Sequence, residues 1–229
     1  MFFMSSVDKI KKLLSKLVFK SKLYLYLLKQ KVFFKYIEAL SLFMKKQIVI
    51  FISGKGSNAL NIINYFSESE NLTVSHVYSN NKTSPFFNHK LNSNIKVSYF
   101  QNDDLNTKVF DELQHIKPDL IVLAGFLKKI PISFLDYFKK TIINIHPSIL
   151  PKYGGKGMYG SRIHDKVIEN NEVETGITIH YVSEKYDSGE IIFQKKIAVK
   201  ENDTPQIIEK KIHKLEYKYL PKIIESILI

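Results

Sequence analysis

Short apolar runs alternate with helix-spaced apolar patterns along most of the chain. The first run, residues 47–53, is rich in β-branched residues and ends at Gly54. Between Ala59 and Phe66 the apolar residues then recur at the three- and four-residue spacing of an amphipathic helix. A buried strand that leads into a helix through a glycine turn is typical of the first unit of a doubly wound α/β protein.

The same alternation continues to the end of the chain. Further strands are predicted at residues 73–78, 96–100, 119–124, 141–145, 176–182 and 191–197. Further helices are predicted at residues 105–115, 133–138, 160–170 and 204–228. The pattern therefore predicts the α/β class, with a twisted, mostly parallel sheet flanked by helices. No internal repeat interrupts it, so we expect one domain over residues 44–229.

Composition limits the partners and the compartment. Residues 1–43 contain nine lysines against Asp8 and Glu38, so more than half of the net charge of +12 lies there. Arg162 is the only arginine, so the bidentate contacts that read bases are nearly absent and no nucleic-acid partner is expected. The chain has no cysteine, which excludes disulfides and permits a reducing compartment, and we expect the cytoplasm.

Residues 1–43 form a basic, amphipathic extension in which leucines lie among the lysines. No apolar run reaches the roughly 18 residues of a membrane span. Lysines also recur where a secretory signal would be apolar. We interpret Met44 as the natural start and the extension as a translated leader. Contact of the extension with acidic lipid is the less favoured alternative.

Candidate chemistry begins in the apolar run that ends at Pro147. Asn144 and His146 are two residues apart, so in a strand their side chains share a face. A hydrogen-bond donor beside an acid/base group suits acyl transfer, in which a proton moves while negative charge develops on a carbonyl oxygen. The alternative is a strand end with a hydrogen-bonded core histidine.

Three loops could contribute to the same site. The glycine turn at residues 54–58 precedes a helix, so it predicts a phosphate site with Ser57 and Asn58 as caps; a mere tight turn is the alternative. The glycine-rich stretch at residues 151–160 predicts a surface loop that orders over a substrate, or an ordinary crossover. Asp187 lies in a turn, and no spacing rule connects it to His146.

Five segments in order resemble the folate-dependent glycinamide ribonucleotide formyltransferases. They are residues 53–58, 123–127, 144–148, 150–153 and, as the last segment, 176–180 with 187–189. The resemblance implies a Rossmann-like formyltransferase fold. It also implies transfer of a formyl group from 10-formyltetrahydrofolate to the amine of glycinamide ribonucleotide, the third step of purine biosynthesis, without a metal.

The resemblance also assigns residues to roles. Asn144, His146 and Asp187 match the catalytic positions. The ribonucleotide positions are Gly56, Ser57, Asn58, His213, Lys214, Leu215 and Glu216, the last preceded by a turn. The folate positions are Lys90, Leu127, Lys128, Lys129, Ile130, Asn144, Ser183, Glu184, Lys185, Tyr186 and Asp187. His164 and His180 match histidines near the site, with either an orienting or a packing role.

The chain departs from the family in places, and related families offer alternatives. Lys90 and Lys128 stand where relatives often have arginine, so the contacts with folate are expected to differ. Methionyl-tRNA formyltransferase and formyltetrahydrofolate hydrolase share the Asn, His and Asp arrangement but add a further domain, which the short flanks here disfavour. A folate or nucleotide binder without activity is the third alternative. We expect small-molecule partners only, and a monomer or homodimer.

Overall fold

The computed structural model describes residues 45–229, together with the separate positions Lys11, Tyr26 and Gln30. The predicted extension, residues 1–43, otherwise lies outside the described residues, so its interpretation stays a prediction. Lys46–Ile229 forms one compact unit. The domain boundary predicted at Met44 is not tested by this and stays a prediction.

Seven strands within residues 45–229 form one sheet in the order β3-β2-β1-β4-β5-β6-β7. They are β1 (Lys46–Ile52), β2 (Leu72–Ser79), β3 (Lys96–Tyr99), β4 (Leu120–Leu123), β5 (Ile142–His146), β6 (Glu174–Tyr181) and β7 (Ile191–Ala198). Strands β1 to β5 are parallel, and β6 runs antiparallel to both β5 and β7. The predicted α/β class with a mostly parallel sheet is confirmed.

The helices follow the predicted pattern with differences in detail. They are α1 (Ser57–Tyr65), α2 (Phe110–Ile116), α3 (Ile132–Tyr137), α4 (Ser161–Glu169) and α5 (Pro205–Leu228). The helix predicted at residues 105–115 begins instead as a π-helical turn, Leu105–Val109. Two short 3₁₀ segments, Pro85–Asn88 and Asn102–Asp104, were not predicted. Within the described part of the chain, every helix is too short or too polar to cross a membrane.

Alternate residues of the central strands supply two hydrophobic clusters, one on each face of the sheet. Ile48 and Ile50 belong to the cluster that also takes in residues of α1 and α5, whereas Val49 and Phe51 belong to the other. Each fully buried side chain of this size stabilises the fold by roughly 1.5–3 kcal/mol. In β5 the same alternation sends Ile143 and Ile145 into the first cluster and Ile142 into the second. Polar residues on the Ile142 side of β5 therefore face away from α1 and α5.

The carboxyl ends of the parallel strands meet at one edge of the sheet. Strand β4 lies between β1 and β5, so the loops that follow β1 and β5 begin about 10 Å apart. Ligands of open α/β sheets bind outside this edge. The fold therefore places the glycine turn after β1 and the Asn144–His146 pair of β5 where one extended ligand can contact both.

Candidate active site

Asn144 is oriented by a histidine of the neighbouring strand. His180 lies directly opposite Asn144 in the β5–β6 pairing, and the Asn144 Nδ2 donates to His180 Nε2 over 3.0 Å. The His180 Nδ1–H donates to the carbonyl oxygen of Tyr181 over 2.8 Å, which leaves Nε2 as the acceptor. Burial lowers the pKa of His180, so its ring stays neutral. The Asn144 amide nitrogen is thereby held with one hydrogen in the hydrogen bond and the other free.

His146 is buried, with 4% of its surface exposed, and both of its ring nitrogens face acceptors. Its Nε2 lies 2.7 Å from the carbonyl oxygen of Tyr153, which can only accept, so Nε2 carries the proton. Its Nδ1 lies 3.5 Å from Asp187 Oδ1. Burial lowers the pKa of His146, although Asp187 and the Tyr153 carbonyl act to raise it. The resting ring is therefore neutral, with Nδ1 ready to take up a proton.

Asp187 reaches this pair because its loop folds back over β6. Its backbone is left-handed, with φ +53°. Its Oδ2 accepts from the backbone N–H of Gly155 over 2.8 Å, and its Oδ1 lies 3.8 Å from His180 Nε2. The structure thus brings together the three residues that the sequence predicted as catalytic. Their roles stay predictions.

A cavity that is partly open to solvent lies beside these residues. Its lining residues are Leu123, Phe126, Lys128, Lys129, Ile130, Asn144, His180, Val182, Ser183, Lys185, Tyr186 and Asp187. The apolar members fit a flat heteroaromatic ring, and the three lysines fit carboxylates. The lining therefore combines an apolar wall with three cationic side chains. His146 is not among the lining residues and reaches the cavity through Asp187.

Most of the predicted folate residues line this cavity, and three do not. Glu184 lines an adjoining open depression that also includes Lys156. The backbone N–H of Leu127 donates to Ser53 Oγ over 3.0 Å, which fixes the loop after β4. Lys90 is exposed and lines neither cavity. The folate roles of Lys90 and Leu127 stay predictions.

Three apolar lining residues, Leu123, Phe126 and Val182, were not predicted as site residues. Apolar cavity walls look like core residues in a sequence, so no chemical signature marks them. The one available signal is position, because Leu123 and Phe126 lie at and just beyond the carboxyl end of β4.

The glycine turn after β1 caps α1 in an unexpected way. The prediction of Ser57 and Asn58 as caps is wrong, because Gly56 is the N-cap and no side chain caps the helix. Gly56 has φ +72°, and a Cβ there would lie 2.5 Å from Phe86 Cδ2, so the turn requires glycine. With no capping side chain, the N–H groups of the first turn of α1 are available to an anion.

Asn58 instead connects α1 to the long helix α5. Its Nδ2 donates to Glu216 Oε2 over 3.0 Å, and its buried Oδ1 has no hydrogen-bond partner within residues 45–229. Burial raises the pKa of Glu216 to about 7, and the Asn58 hydrogen bond offsets only part of this. His213 Nε2 lies 4.0 Å from Glu216 Oε2. The turn expected before Glu216 is a turn of α5 itself.

Two other predicted ribonucleotide residues are not directed at this cluster. Lys214 is exposed, and Leu215 packs against the hydrophobic cluster beside α1 and α5. Within the predicted segment 213–216, Glu216 is hydrogen-bonded to Asn58, and His213 Nε2 lies 4.0 Å from the Glu216 carboxylate. Among residues 45–229 no group of three His, Cys, Asp or Glu side chains is arranged to hold a metal, and the expectation that no metal is needed stays a prediction.

Comparison with known proteins places this geometry in a family. The family model described as formyl transferase matches residues 46–224. The chain belongs to the formyl transferase family. It is 32% identical over 187 residues to the phosphoribosylglycinamide formyltransferase of Haemophilus influenzae, covering 79% of this chain and 86% of that one. The resemblance stated from the sequence is thereby confirmed.

Further relatives agree. The chain is 35% identical over 191 residues to the chloroplastic phosphoribosylglycinamide formyltransferase of Arabidopsis thaliana, covering 80% of this chain. The match spans 65% of that relative's length and 61% of the length of the Vigna unguiculata enzyme, less than two thirds of each. The crystal structure of the Bacillus halodurans enzyme superposes with a TM-score of 0.72 at 28% identity, covering 80% of this chain and 95% of that one.

Proposed function

We propose that the chain transfers a formyl group from 10-formyltetrahydrofolate to the amine of glycinamide ribonucleotide. The observation that carries the proposal is the meeting of Asn144, His146 and Asp187 beside the cavity. Family membership and the names of the relatives support the same acceptor.

The ribonucleotide would bind at the carboxyl edge of the sheet. Its phosphate would bind the uncapped N-terminus of α1 at Gly56 and Ser57, where free N–H groups and the helix dipole favour an anion. Asn58 Oδ1 and Glu216 would accept hydrogen bonds from the sugar hydroxyls, because both are buried acceptors near that turn. The amine would then lie about 10 Å from the phosphate, beside Asn144.

The formyl donor would bind in the cavity. Its ring system would pack on the apolar wall formed by Leu123, Phe126, Ile130 and Val182. Its carboxylates would be neutralised by the exposed lysines at positions 128, 129 and 185. This arrangement leaves the formyl carbon at the Asn144 and Asp187 side of the cavity.

The reaction forms one C–N bond and breaks another. The ribonucleotide amine attacks the formyl carbon, and the carbonyl oxygen becomes an oxyanion toward which the free hydrogen of Asn144 Nδ2 can point. The C–N bond to the folate then breaks, and the oxyanion returns to a carbonyl. The proton lost by the attacking amine is gained by the departing folate nitrogen, so no other reactant is required.

His146 and Asp187 would carry that proton. His146 Nδ1 is the unprotonated ring nitrogen and faces Asp187 at 3.5 Å. A proton taken from the amine, directly or through Asp187 or a water, would give an imidazolium that the carboxylate stabilises. The positive ring would also stabilise the nearby oxyanion. The imidazolium then acts as an acid and gives this proton to the departing folate nitrogen, which completes the cycle.

The assignment of the acceptor is tested by offering the purified protein three acceptors with 10-formyltetrahydrofolate. Glycinamide ribonucleotide is expected to be formylated. Formylation of charged initiator tRNA alone, or hydrolysis of the donor with no transfer, would contradict the proposal and identify one of the related activities. Absence of all three would favour a binding protein.

The remaining expectations stay predictions. They are a cytoplasmic location, small-molecule partners only, and a monomer or homodimer. The two plant relatives are named as chloroplastic, which is a property of those proteins.

A further inference from the structure

The proton position on His146 depends on one backbone atom. The Tyr153 carbonyl oxygen, 2.7 Å from Nε2, selects the tautomer in which Nδ1 is free to face Asp187. If this carbonyl moved away, Nδ1 could carry the proton instead and donate it to the carboxylate. A ring protonated at Nδ1 could not accept a proton there.

The residue that supplies this carbonyl has an unfavourable backbone conformation. Tyr153 has φ +57°, in the left-handed region that residues with a bulky side chain rarely adopt. Such a conformation persists only where the surroundings hold it. The hydrogen bonds of the Tyr153 side chain identify these surroundings.

The Tyr153 hydroxyl is held from both sides by the turn that ends α4. It donates to Glu172 Oε1 over 2.8 Å and accepts from Asn170 Nδ2 over 2.8 Å. Lys152 Nζ lies 3.0 Å from both carboxylate oxygens of Glu172. These two contacts, first the Tyr153 hydroxyl and then Lys152, lower the pKa of Glu172, so the acceptor remains a carboxylate.

The other end of the segment is held as well. Ser148 Oγ donates to the carbonyl oxygen of Lys152 over 2.7 Å, and Thr178 Oγ1 of β6 donates to the carbonyl oxygen of Ser148 over 2.7 Å. The Glu172 N–H donates to the carbonyl oxygen of Val167, which anchors the carboxylate to α4. The Tyr153 carbonyl is therefore fixed between β6 and α4.

We propose that Tyr153 and Glu172 are positioning residues that set the tautomer of His146. The hydroxyl–carboxylate hydrogen bond holds the Tyr153 backbone in its left-handed conformation, and the carbonyl then keeps the proton on His146 Nε2. Neither side chain contacts the cavity. Their importance for turnover rests on the function proposed above, whereas their effect on the tautomer does not.

The first test is Tyr153→Phe in the full chain, read by ¹⁵N NMR of the histidine side chains, with His146 assigned from its absence in His146→Ala. Wild type is expected to show His146 protonated at Nε2. The variant is expected to show a mixture with the Nδ1-protonated form and a lower pKa of His146, because a contact that raises this pKa is weakened.

The matched control is Tyr65→Phe. It removes a hydroxyl that donates to the Glu225 carboxylate over 3.0 Å on the exposed surface. This control is expected to leave the His146 tautomer unchanged. Glu172→Gln provides a second variant, since it keeps an acceptor for the hydroxyl but loses the ion pair with Lys152. An intermediate change in the tautomer is expected, and it decides the matter if Tyr153→Phe fails to fold.

Steady-state kinetics provides a second, independent test of the proposal. Tyr153→Phe should lower kcat about tenfold, the lower end for residues that orient a functional histidine, with the KM of each substrate changed less than twofold. An unchanged His146 tautomer and titration in the folded variants would overturn the proposal, even if kcat fell. If wild type transfers no formyl group, the proposed function fails, while the NMR result still tests this inference.

Discussion

Two polar clusters of this protein differ in how completely they are built. In the proposed catalytic cluster, Asn144 is hydrogen-bonded to His180, and backbone groups bind one ring nitrogen of His146, one of His180 and one carboxylate oxygen of Asp187. In the cluster around Asn58 and Glu216, the Asn58 Oδ1 is buried with no hydrogen-bond partner within residues 45–229. Buried polar atoms without partners are costly.

The difference suggests that the two clusters have different roles. The proposed catalytic cluster is positioned by protein groups alone, as expected of groups that would stabilise a transition state without reorganising. The cluster of α1 and α5 lacks partners that a hydroxyl-bearing ligand would supply. His164, which interacts electrostatically with His213, shows the same incompleteness, since its buried Nδ1 also has no partner within the described residues.

The largest expected effect comes from removing the donor of the complete cluster. Asn144→Ala should lower kcat by about 10²–10³, the usual loss when one donor to an oxyanion is removed. Steady-state kinetics measures it. Asn61→Ala is the control, because Asn61 donates to the Tyr217 carbonyl outside the site. A kcat of Asn144→Ala within threefold of wild type would show that Asn144 does not stabilise the reacting oxygen.

The incomplete cluster should instead dominate the pH dependence of stability. Glu216 has a pKa of about 7 in the folded protein and an ordinary value of 4.5, so the folded state holds a proton that the unfolded chain releases between these values. This contribution is fully present below pH 4.5 and is lost as the pH rises through 7. The free energy of unfolding therefore declines by on the order of 3 kcal/mol.

Glu216→Gln should abolish this decline and should be more stable than wild type above pH 7, because a neutral amide needs no desolvated charge. Urea unfolding at pH 5 and pH 8 measures the difference between the two proteins. Glu201→Gln, at an exposed turn position, is the control. Parallel pH profiles for wild type and Glu216→Gln would contradict the raised pKa.

The proposed catalytic cluster changes the free energy of unfolding with pH in the opposite direction. The folded pKa of His146 lies below its ordinary value of 6.5, so stability from the neutral ring is present above pH 6.5 and is lost as the pH falls toward the folded pKa. The two clusters thus stabilise the folded state in opposite pH ranges. Glu216→Gln should remove only the contribution of Glu216, and His146→Ala only that of His146.

The smallest expected effect concerns the lysines of the cavity. Lys128→Ala should raise the KM for 10-formyltetrahydrofolate about threefold and leave kcat unchanged, since an exposed ion pair contributes under 1 kcal/mol. The measurement is repeated with Lys139→Ala, an exposed lysine that does not line the cavity. Equal KM values for the two variants would remove Lys128 from the folate site.

The fold was predictable because buried strands leave a strong signal. Each predicted strand overlaps an observed one, since a strand covered on both faces needs an unbroken apolar run, as in residues 47–53. The π-helical turn Leu105–Val109 and the two 3₁₀ segments were missed, because short irregular turns differ little in composition from helix ends.

The site was predictable in part. The shared face of Asn144 and His146 follows from the two-residue repeat of a strand. The approach of Asp187 depends on how a distant loop folds back, and only the family resemblance indicated it. The Tyr153 carbonyl and the Gly155 amide were missed because backbone atoms have no side-chain signature. The capping prediction failed because Asn58 binds Glu216 of α5, a long-range partner that local rules ignore.

The most direct test of the account measures binding and turnover of His146→Ala on one preparation. Calorimetry should show glycinamide ribonucleotide bound within about twofold of the wild-type affinity, since His146 lies outside the cluster of α1 and α5. Formyl transfer should fall at least about a hundredfold, the scale of a general acid/base group. Transfer at the wild-type rate would contradict the account.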